Sequence, residues 1–444
     1  MLQKLPHHVT IESLKKEESL MFFHKKGSVE MLDCSIDLSN ASFFKDACLV
    51  HIQGKGILRT QYYHDEKDPY AMNSQIKLYD TPLLQIHSSE CPTCPSLLAT
   101  GYGLDQAGCK ELYDIQENIN APFVSVERSI ENLQPLLTLL ESGLYVIADT
   151  ICYPTDGNEH FFWDTPNDFT ENPATTAVFL PNYHYEYVDP CYLYPTQNTD
   201  CYHEERVNYY KDLFQKTEEP PRAIVYNFGP SISYLLDGHH KACAAALLHQ
   251  PVKCIMIIPL SGYAYPIPYH TGMKPDRLSF STIDIPIEHI PKRYLPERSS
   301  WKTPKEIMSK HPGIIDHRIW EPCYLESVSS YPTIMECAVM QSLDIPMNQC
   351  IPDNLIQECF NQNDNDAIDK LIAILYLLHY QKDPRQKQVA IQCSKLFGTL
   401  KKTAYQILSY IKSDAEVEQL FIDYLVECED PHDMILPIIH SYWE

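Results

Sequence analysis

The spacing of apolar and polar positions divides the 444-residue chain into a strand-rich first half and a helical C-terminal part. Val29-Glu30-Met31-Leu32-Asp33-Cys34-Ser35-Ile36-Asp37-Leu38 alternates with period two, as a strand with one buried face does. Cys48–Gln53 and Ile57-Leu58-Arg59, separated by Gly54-Lys55-Gly56, read as two strands about a tight glycine turn. Glu131 to Glu141 has helical spacing, and the apolar run Leu144–Asp149 follows as a strand. Pro154-Thr155-Asp156-Gly157 is a turn by composition, so residues 152–163 are expected to form a hairpin. Asp156, Glu159 and His160 then sit at its tip, either as solvated turn residues or at the mouth of a ligand site. Residues 164–203 are rich in Pro, Tyr, Asn and Asp and read as an irregular connection. Its tyrosines, Tyr183 to Tyr187 and Tyr192 to Tyr194, either line a pocket or pack in the core.

From Glu204 the pattern sharpens. It predicts a helix over Glu204–Gln215, strands over Arg222–Phe228 and Ser233–Leu236, a polar turn, a helix over Lys241–His249 and a strand over Val252–Ile258. Residues 263–350 carry many prolines and read as extended wrapping and a linker, with short helices near Pro304–Lys310 and Thr333–Gln341. From Asp353 the period is helical, with helices over Ala367–Tyr380, Arg385–Leu396 behind Pro384, Leu400–Ile411, Ala415–Cys428 and Pro431–Tyr442. The expected organisation is a strand-rich region (1–203), a region built on the polar turn (204–262), the linker (263–350) and a helical domain (353–444). The fold class is an α+β core with a mixed sheet, followed by an all-α domain of helical-repeat type.

Composition narrows the function classes. Hydrophobic residues make up 44% and charged residues 21%, an ordinary globular balance. The chain has neither G-x-G-x-x-G nor G-x-x-x-x-G-K-[ST], which argues against dinucleotide-binding and P-loop domains. A formal charge of −24 disfavours extended contact with nucleic acid or an anionic membrane, although a local basic pocket can still hold a small anion. The N-terminus lacks a signal-peptide pattern and no apolar window reaches the length of a membrane span, so a cytoplasmic protein is expected. The 16 cysteines are scattered, and Cys243, Cys359, Cys393 and Cys428 fall in apolar helical patterns, as small buried side chains do in a reducing compartment.

Two stretches carry candidate chemistry. Cys91-Pro92-Thr93-Cys94, with His87 before it and Cys109 after it, has half of a zinc signature. The alternative is that the two cysteines cap a helix starting near Pro95. The denser stretch is Asp237-Gly238-His239-His240-Lys241, a polar turn between a strand and the Ala-rich segment Ala242–Leu248. Unpaired N–H groups at a helix start favour an anion, and a glycine lets backbone approach a ligand closely. His239, His240 and Lys241 supply donors for phosphate oxygens, and Asp237 can orient a histidine, ligate a metal ion or act as a base. The plainer alternative is an Asp-Gly turn capping a helix, with solvated histidines.

The order helix, strand, strand, polar turn, Ala-rich helix, strand over roughly residues 204–260 resembles the ParB/sulfiredoxin superfamily. In that family the turn holds nucleotide phosphates. The resemblance implies that Gly238, His239, His240 and Lys241 bind phosphate, with ATP or another nucleotide and Mg²⁺ as ligands. His239 and Asp237 become the candidates for acid–base chemistry in phosphoryl or nucleotide transfer. The chain departs from the family in three places. His239 stands where sulfiredoxins have a nucleophilic cysteine, and Cys243 comes four residues later. His240 and Lys241 replace the arginines of ParB proteins, and Lys lacks the bidentate fork of Arg. No basic DNA-binding domain follows. The C-terminal helices resemble HEAT or armadillo repeats, Asp383-Pro384-Arg385-Gln386-Lys387-Gln388-Val389-Ala390 being similar to a HEAT helix start. That resemblance implies a protein-docking surface, the alternative being a plain helical bundle. Three possibilities therefore stand: a protein with a nucleotide or phosphate site, a non-enzymatic scaffold in which the turn is a structural relic, and a zinc-stabilised module around Cys91 and Cys94.

Overall fold

The computed structural model describes residues 27–38, 43–63, 72–88, 96–164 apart from 102, 105, 106 and 114, then 170–172, 178–179, 185–186, 191–260 apart from 228–231, 277–280, 283–294 apart from 287 and 289, and 318–444 apart from 344, 346–348, 363 and 397. A seven-stranded mixed sheet organises it. The spatial order is β1 (Ser28–Met31), β2 (Phe44–Gln53), β7 (Gly143–Cys152), β14 (Val252–Pro259), β12 (Ala223–Asn227), β13 (Ile232–Asp237) and β11 (Tyr192–Pro195), the labels following chain order. The pairs are antiparallel except β14 with β12 and β13 with β11. The continuous apolar runs of β7 and β14 belong at its centre because both faces are covered. Alternate residues part to opposite sides: Tyr145, Ile147, Ile255 and Ile257 enter one apolar cluster, and Leu144, Val146, Met256 and Ile258 the other.

A second, antiparallel sheet of β3 (Leu58–Tyr63), β4 (Met72–Leu78), β5 (Thr81–Ser88), β6 (Ser96–Thr100) and β8 (Thr170–Asn172) contributes to the first cluster. Two short ribbons, β9 (Val178–Phe179) with β10 (Tyr185–Glu186) and β15 (Arg277–Phe280) with β16 (Ile283–Pro286), complete the strands described. In the chain between β6 and β7 come the one-turn helices α1 (Lys110–Tyr113) and α2 (Gln116–Ile119), then α3 (Val126–Leu137). Ser125 caps α3, its Oγ accepting from the Arg128 N–H at 3.2 Å. Val126, Ile130, Leu133 and Leu137 form its buried face, which packs on β2 and β7.

The other face of the large sheet is covered by α4 (Glu204–Lys216), α5 (His239–Leu247) and α6 (Pro322–Ser327), with α5 packed on both other helices. Ala242 to Ala246 are at most 1% exposed, so small side chains let α5 lie close to its neighbours on every side. Beyond it come α7 (Ile334–Gln341), α8 (Asp353–Asn361), α9 (Asn365–Tyr380), α10 (Gln386–Cys393), α11 (Gly398–Ser409), α12 (Ala415–Glu427) and α13 (Leu436–Trp443). Thr333 and Glu336 close a capping box at the start of α7. Alternate helices stack, α7 on α9, α9 on α11 and α11 on α13. An α+β core with a mixed sheet, followed by helices, is thus the observed class.

Several sequence expectations need correction. The Ile57 strand does not pair with β2: β2 belongs to the large sheet and β3 to the second. A Cβ at Gly54 would stand 1.8 Å from the Leu140 carbonyl oxygen, so this glycine serves a close approach to the segment after α3. Ser96–Thr100, expected to start a helix, is strand β6, hydrogen-bonded between β5 and β8. Helix α3 begins at Val126 rather than Glu131, because Ser125 provides the cap. The period-two run from Val29 yields only the four-residue β1. The helical part starts before Asp353, since α7 already packs on α9. Residues 304–310 lie outside the described residues. No helix among the described residues is long and apolar enough to cross a membrane.

Candidate functional site

The polar turn joins β13 to α5, and its backbone explains its glycine. Gly238 has φ 110° and ψ 18°, a left-handed conformation that residues with a Cβ rarely adopt. A Cβ there would lie 2.6 Å from the Ala223 Cβ on β12. Gly238 therefore allows both the reversal and the close seating of the helix start against the sheet. No side chain caps α5; its first internal bond runs from the Ala242 N–H to the Gly238 carbonyl at 2.8 Å. The N–H groups at the start of the helix precede that bond.

Lys241 has a different role from the phosphate contact its sequence position suggested. Its side chain is 1% exposed. Its ammonium donates to Asp237 Oδ2 at 3.0 Å, to the Arg222 carbonyl at 3.0 Å and to the Ile119 carbonyl at 3.4 Å. Three acceptors match the three donors of an ammonium. The same Arg222 makes a bidentate ion pair with Asp149 of β7, Nε to Oδ1 at 2.8 Å and Nη2 to Oδ2 at 3.2 Å. Lys241 thus ties α5 to the start of β12, to the end of α2 and, through Arg222, to the central strand. Burial works against the Asp237 anion, but the Lys241 ammonium and its hydrogen bond outweigh it and hold the carboxyl below its ordinary range.

The two histidines are buried and neutral. His239, 3% exposed, accepts at Nε2 from the Thr196 N–H at 3.1 Å, which puts the ring proton on Nδ1. Burial, then the neighbouring His240, pushes its pKa down to about 3. His240, 4% exposed, accepts at Nε2 from the His203 N–H at 3.0 Å. Its pKa is pushed down to about 4, by burial first and then by Arg206 and His203. Trp163 packs on both rings, with centroids 5.0 Å from His239 and 5.6 Å from His240. Through its bond to the His203 N–H, His240 ties α5 to the entry to α4.

A cavity of about 320 Å³ opens at the turn. Leu104, Leu112, Leu136 and Leu236 give it an apolar side, while Asp237, Gly238, His239 and His240 line it together with Gln197, Arg206 and Tyr210. An apolar wall with a few convergent polar groups is the usual construction of a small-molecule site. The Tyr210 hydroxyl donates to Asn120 Oδ1 at 2.7 Å, and its pKa rises to about 12, chiefly through burial and then Asp237. Arg206 and Tyr210 sit one turn apart on α4. Neither stood out in the sequence. The one available signal was their spacing, which puts them on the same face of the helix expected over Glu204–Gln215.

The other candidates lie elsewhere. Cys91 and Cys94 fall outside the described residues. His87 is on β5, its backbone in register with Asn73 and Leu97. Cys109 is 3% exposed within the first apolar cluster. Among the described residues no three potential metal-ligating side chains gather. Asp156 organises its own turn, Oδ1 accepting from the Asn158 and His160 N–H groups and Oδ2 pairing with His160 Nδ1 at 3.0 Å. Tyr192 and Tyr194 are core residues, their hydroxyls donating to the carbonyls of Pro332 and Asp156. Residues 183–184 and 187 are outside the described set. No family model, curated protein or solved structure matches the chain.

Proposed function

We propose that the turn and its cavity bind a phosphate-bearing small molecule, a nucleotide in the manner of the ParB/sulfiredoxin superfamily. The observation that carries this reading is the cavity of about 320 Å³ at the uncapped start of α5, lined by Asp237, Gly238 and His239. The amides there and the Nδ1–H of His239 are donors for phosphate oxygens. Oδ2 of Asp237 is held by Lys241, and Oδ1 is the atom that would ligate Mg²⁺ or take a proton from an acceptor hydroxyl if phosphoryl transfer follows binding. On this reading His239 is a phosphate contact through Nδ1–H and Asp237 the metal ligand or base, whereas Lys241 and His240 act by holding α5 in place.

Isothermal titration with ATP, CTP and ADP, with and without Mg²⁺, tests this. The reading expects binding of at least one nucleotide, weakened about tenfold or more in His239→Ala. Absence of binding to the wild type, or equal binding by His239→Ala, would refute it.

The scaffold reading has one observation in its favour. Ile422 and Val426 on α12 are 46% and 81% exposed, and Met434 and Trp443 near and on α13 are 68% and 49% exposed. On that reading the end of the helical array docks a protein partner, and variants of the turn leave the docking unchanged.

A further inference from the structure

With the Lys241 ammonium enclosed by three acceptors, a ligand phosphate must find its charge partner outside the turn. Arg206 is exposed, lines the cavity and has no carboxylate partner among the described residues. Arg206 also lines an adjoining recess of about 330 Å³, together with Asn120, Glu205, Tyr209 and Tyr210. Asn120, Arg206 and Tyr210 face both spaces, so the two form one bipartite site.

We propose that Arg206 is the phosphate-binding cation of this site and that the outer recess receives the aromatic base of a nucleoside phosphate, stacked on Tyr209. The proposal rests on the phosphate-site reading above. Charge sets the orientation. Glu205 borders the recess with no cation partner among the described residues and repels phosphate there, whereas the one carboxylate among the described residues that line the inner cavity, Asp237, is paired with Lys241. The phosphate therefore lies between Arg206 and the start of α5, and the ring lies outward. Tyr209 is 62% exposed, with its ring centroid 5.2 Å from that of Tyr210 and the planes at 71°. It offers an open aromatic face beside the guanidinium, which suits a planar ring joined to an anion. An Arg fork binds phosphate bidentately, so Arg206 supplies from α4 what His240 and Lys241 lack in the turn.

Titration of inorganic pyrophosphate and of ADP into the full chain separates the parts. Arg206→Ala should weaken both about tenfold or more, and Arg206→Lys should restore part of that loss. Tyr209→Ala should weaken ADP about fivefold or more and leave pyrophosphate unchanged. Both side chains are exposed, so thermal midpoints without ligand should stay at the wild-type value. Wild-type affinities in Arg206→Ala, alongside weakened binding in His239→Ala, would overturn the assignment to Arg206 while leaving the site reading intact. Unchanged ADP binding in Tyr209→Ala would overturn the place of the ring. Failure of the wild type to bind either probe would overturn both readings.

Discussion

At the scale of single residues, burial sets Lys241 apart from Arg206. Lys241 stands in the motif but is a buried tie, and Arg206 stands outside it but faces the cavity. Lys241→Met is therefore expected to leave the carbonyls of Arg222 and Ile119 without a donor and Asp237 without its partner. The loss should be about 3 kcal/mol of unfolding free energy, read from urea titration. The histidines give a pH signature. The unfolded chain protonates His240 near pH 6.5, but the folded chain only near 4. Between these values the unfolded state holds the extra proton, so stability rises with pH and falls on acidification from about 6.5. His240→Gln should flatten that fall by about 1.4 kcal/mol per pH unit. The density of polar groups in Asp237–Lys241 was legible in the sequence. The burial of Lys241 was not, because it depends on Ile119 and Arg222, which only the tertiary fold brings to the turn.

At the scale of elements, the run from α4 to β14 was read nearly as it stands, since each apolar run has the length and period of its element. The errors fell where packing overrides local pattern. Residues 96–100 follow a proline and look like a helix start, yet they pair between β5 and β8. The glycines at 54–56 look like a hairpin turn, but the chain there passes from one sheet to the other. The turn before α5 makes a sharper prediction. In Gly238→Ala the backbone keeps φ near 110° only under strain, and the new methyl meets Ala223 at 2.6 Å. A loss of about 2 kcal/mol or more is expected in chemical unfolding, from the strained conformation together with the clash. A Gly238→Ala protein as stable as wild type would contradict the account of the turn.

At the scale of the molecule, the helical array is joined to the sheet through α7. The Ile334 N–H donates to the Gly157 carbonyl at 2.6 Å, the Tyr192 hydroxyl donates to the Pro332 carbonyl at 3.0 Å, and the Cys191 and Cys337 sulfurs lie 4.0 Å apart. One apolar cluster runs from Val50 on β2 through Tyr192 and Cys337 to Ile374 and Leu408. The core and the array are therefore expected to unfold together. Tryptophan fluorescence, which reports Trp163 and Trp320 over α5, Trp443 on α13 and also Trp301, outside the described residues, should give the same urea midpoint as far-UV circular dichroism. Two separated midpoints would mean that the array is an independent unit. The sequence showed where the helices lie but not this junction, which is made by residues of the Pro- and Tyr-rich stretches that have no periodicity of their own. The central claim is that a phosphate-bearing ligand binds at the start of α5. Hydrogen exchange of the full chain with and without saturating ADP and Mg²⁺ tests it most directly. The account predicts slowed exchange in peptides covering residues 237–242 and 203–210. Unchanged exchange in both segments, or protection confined to other parts of the chain, would contradict it.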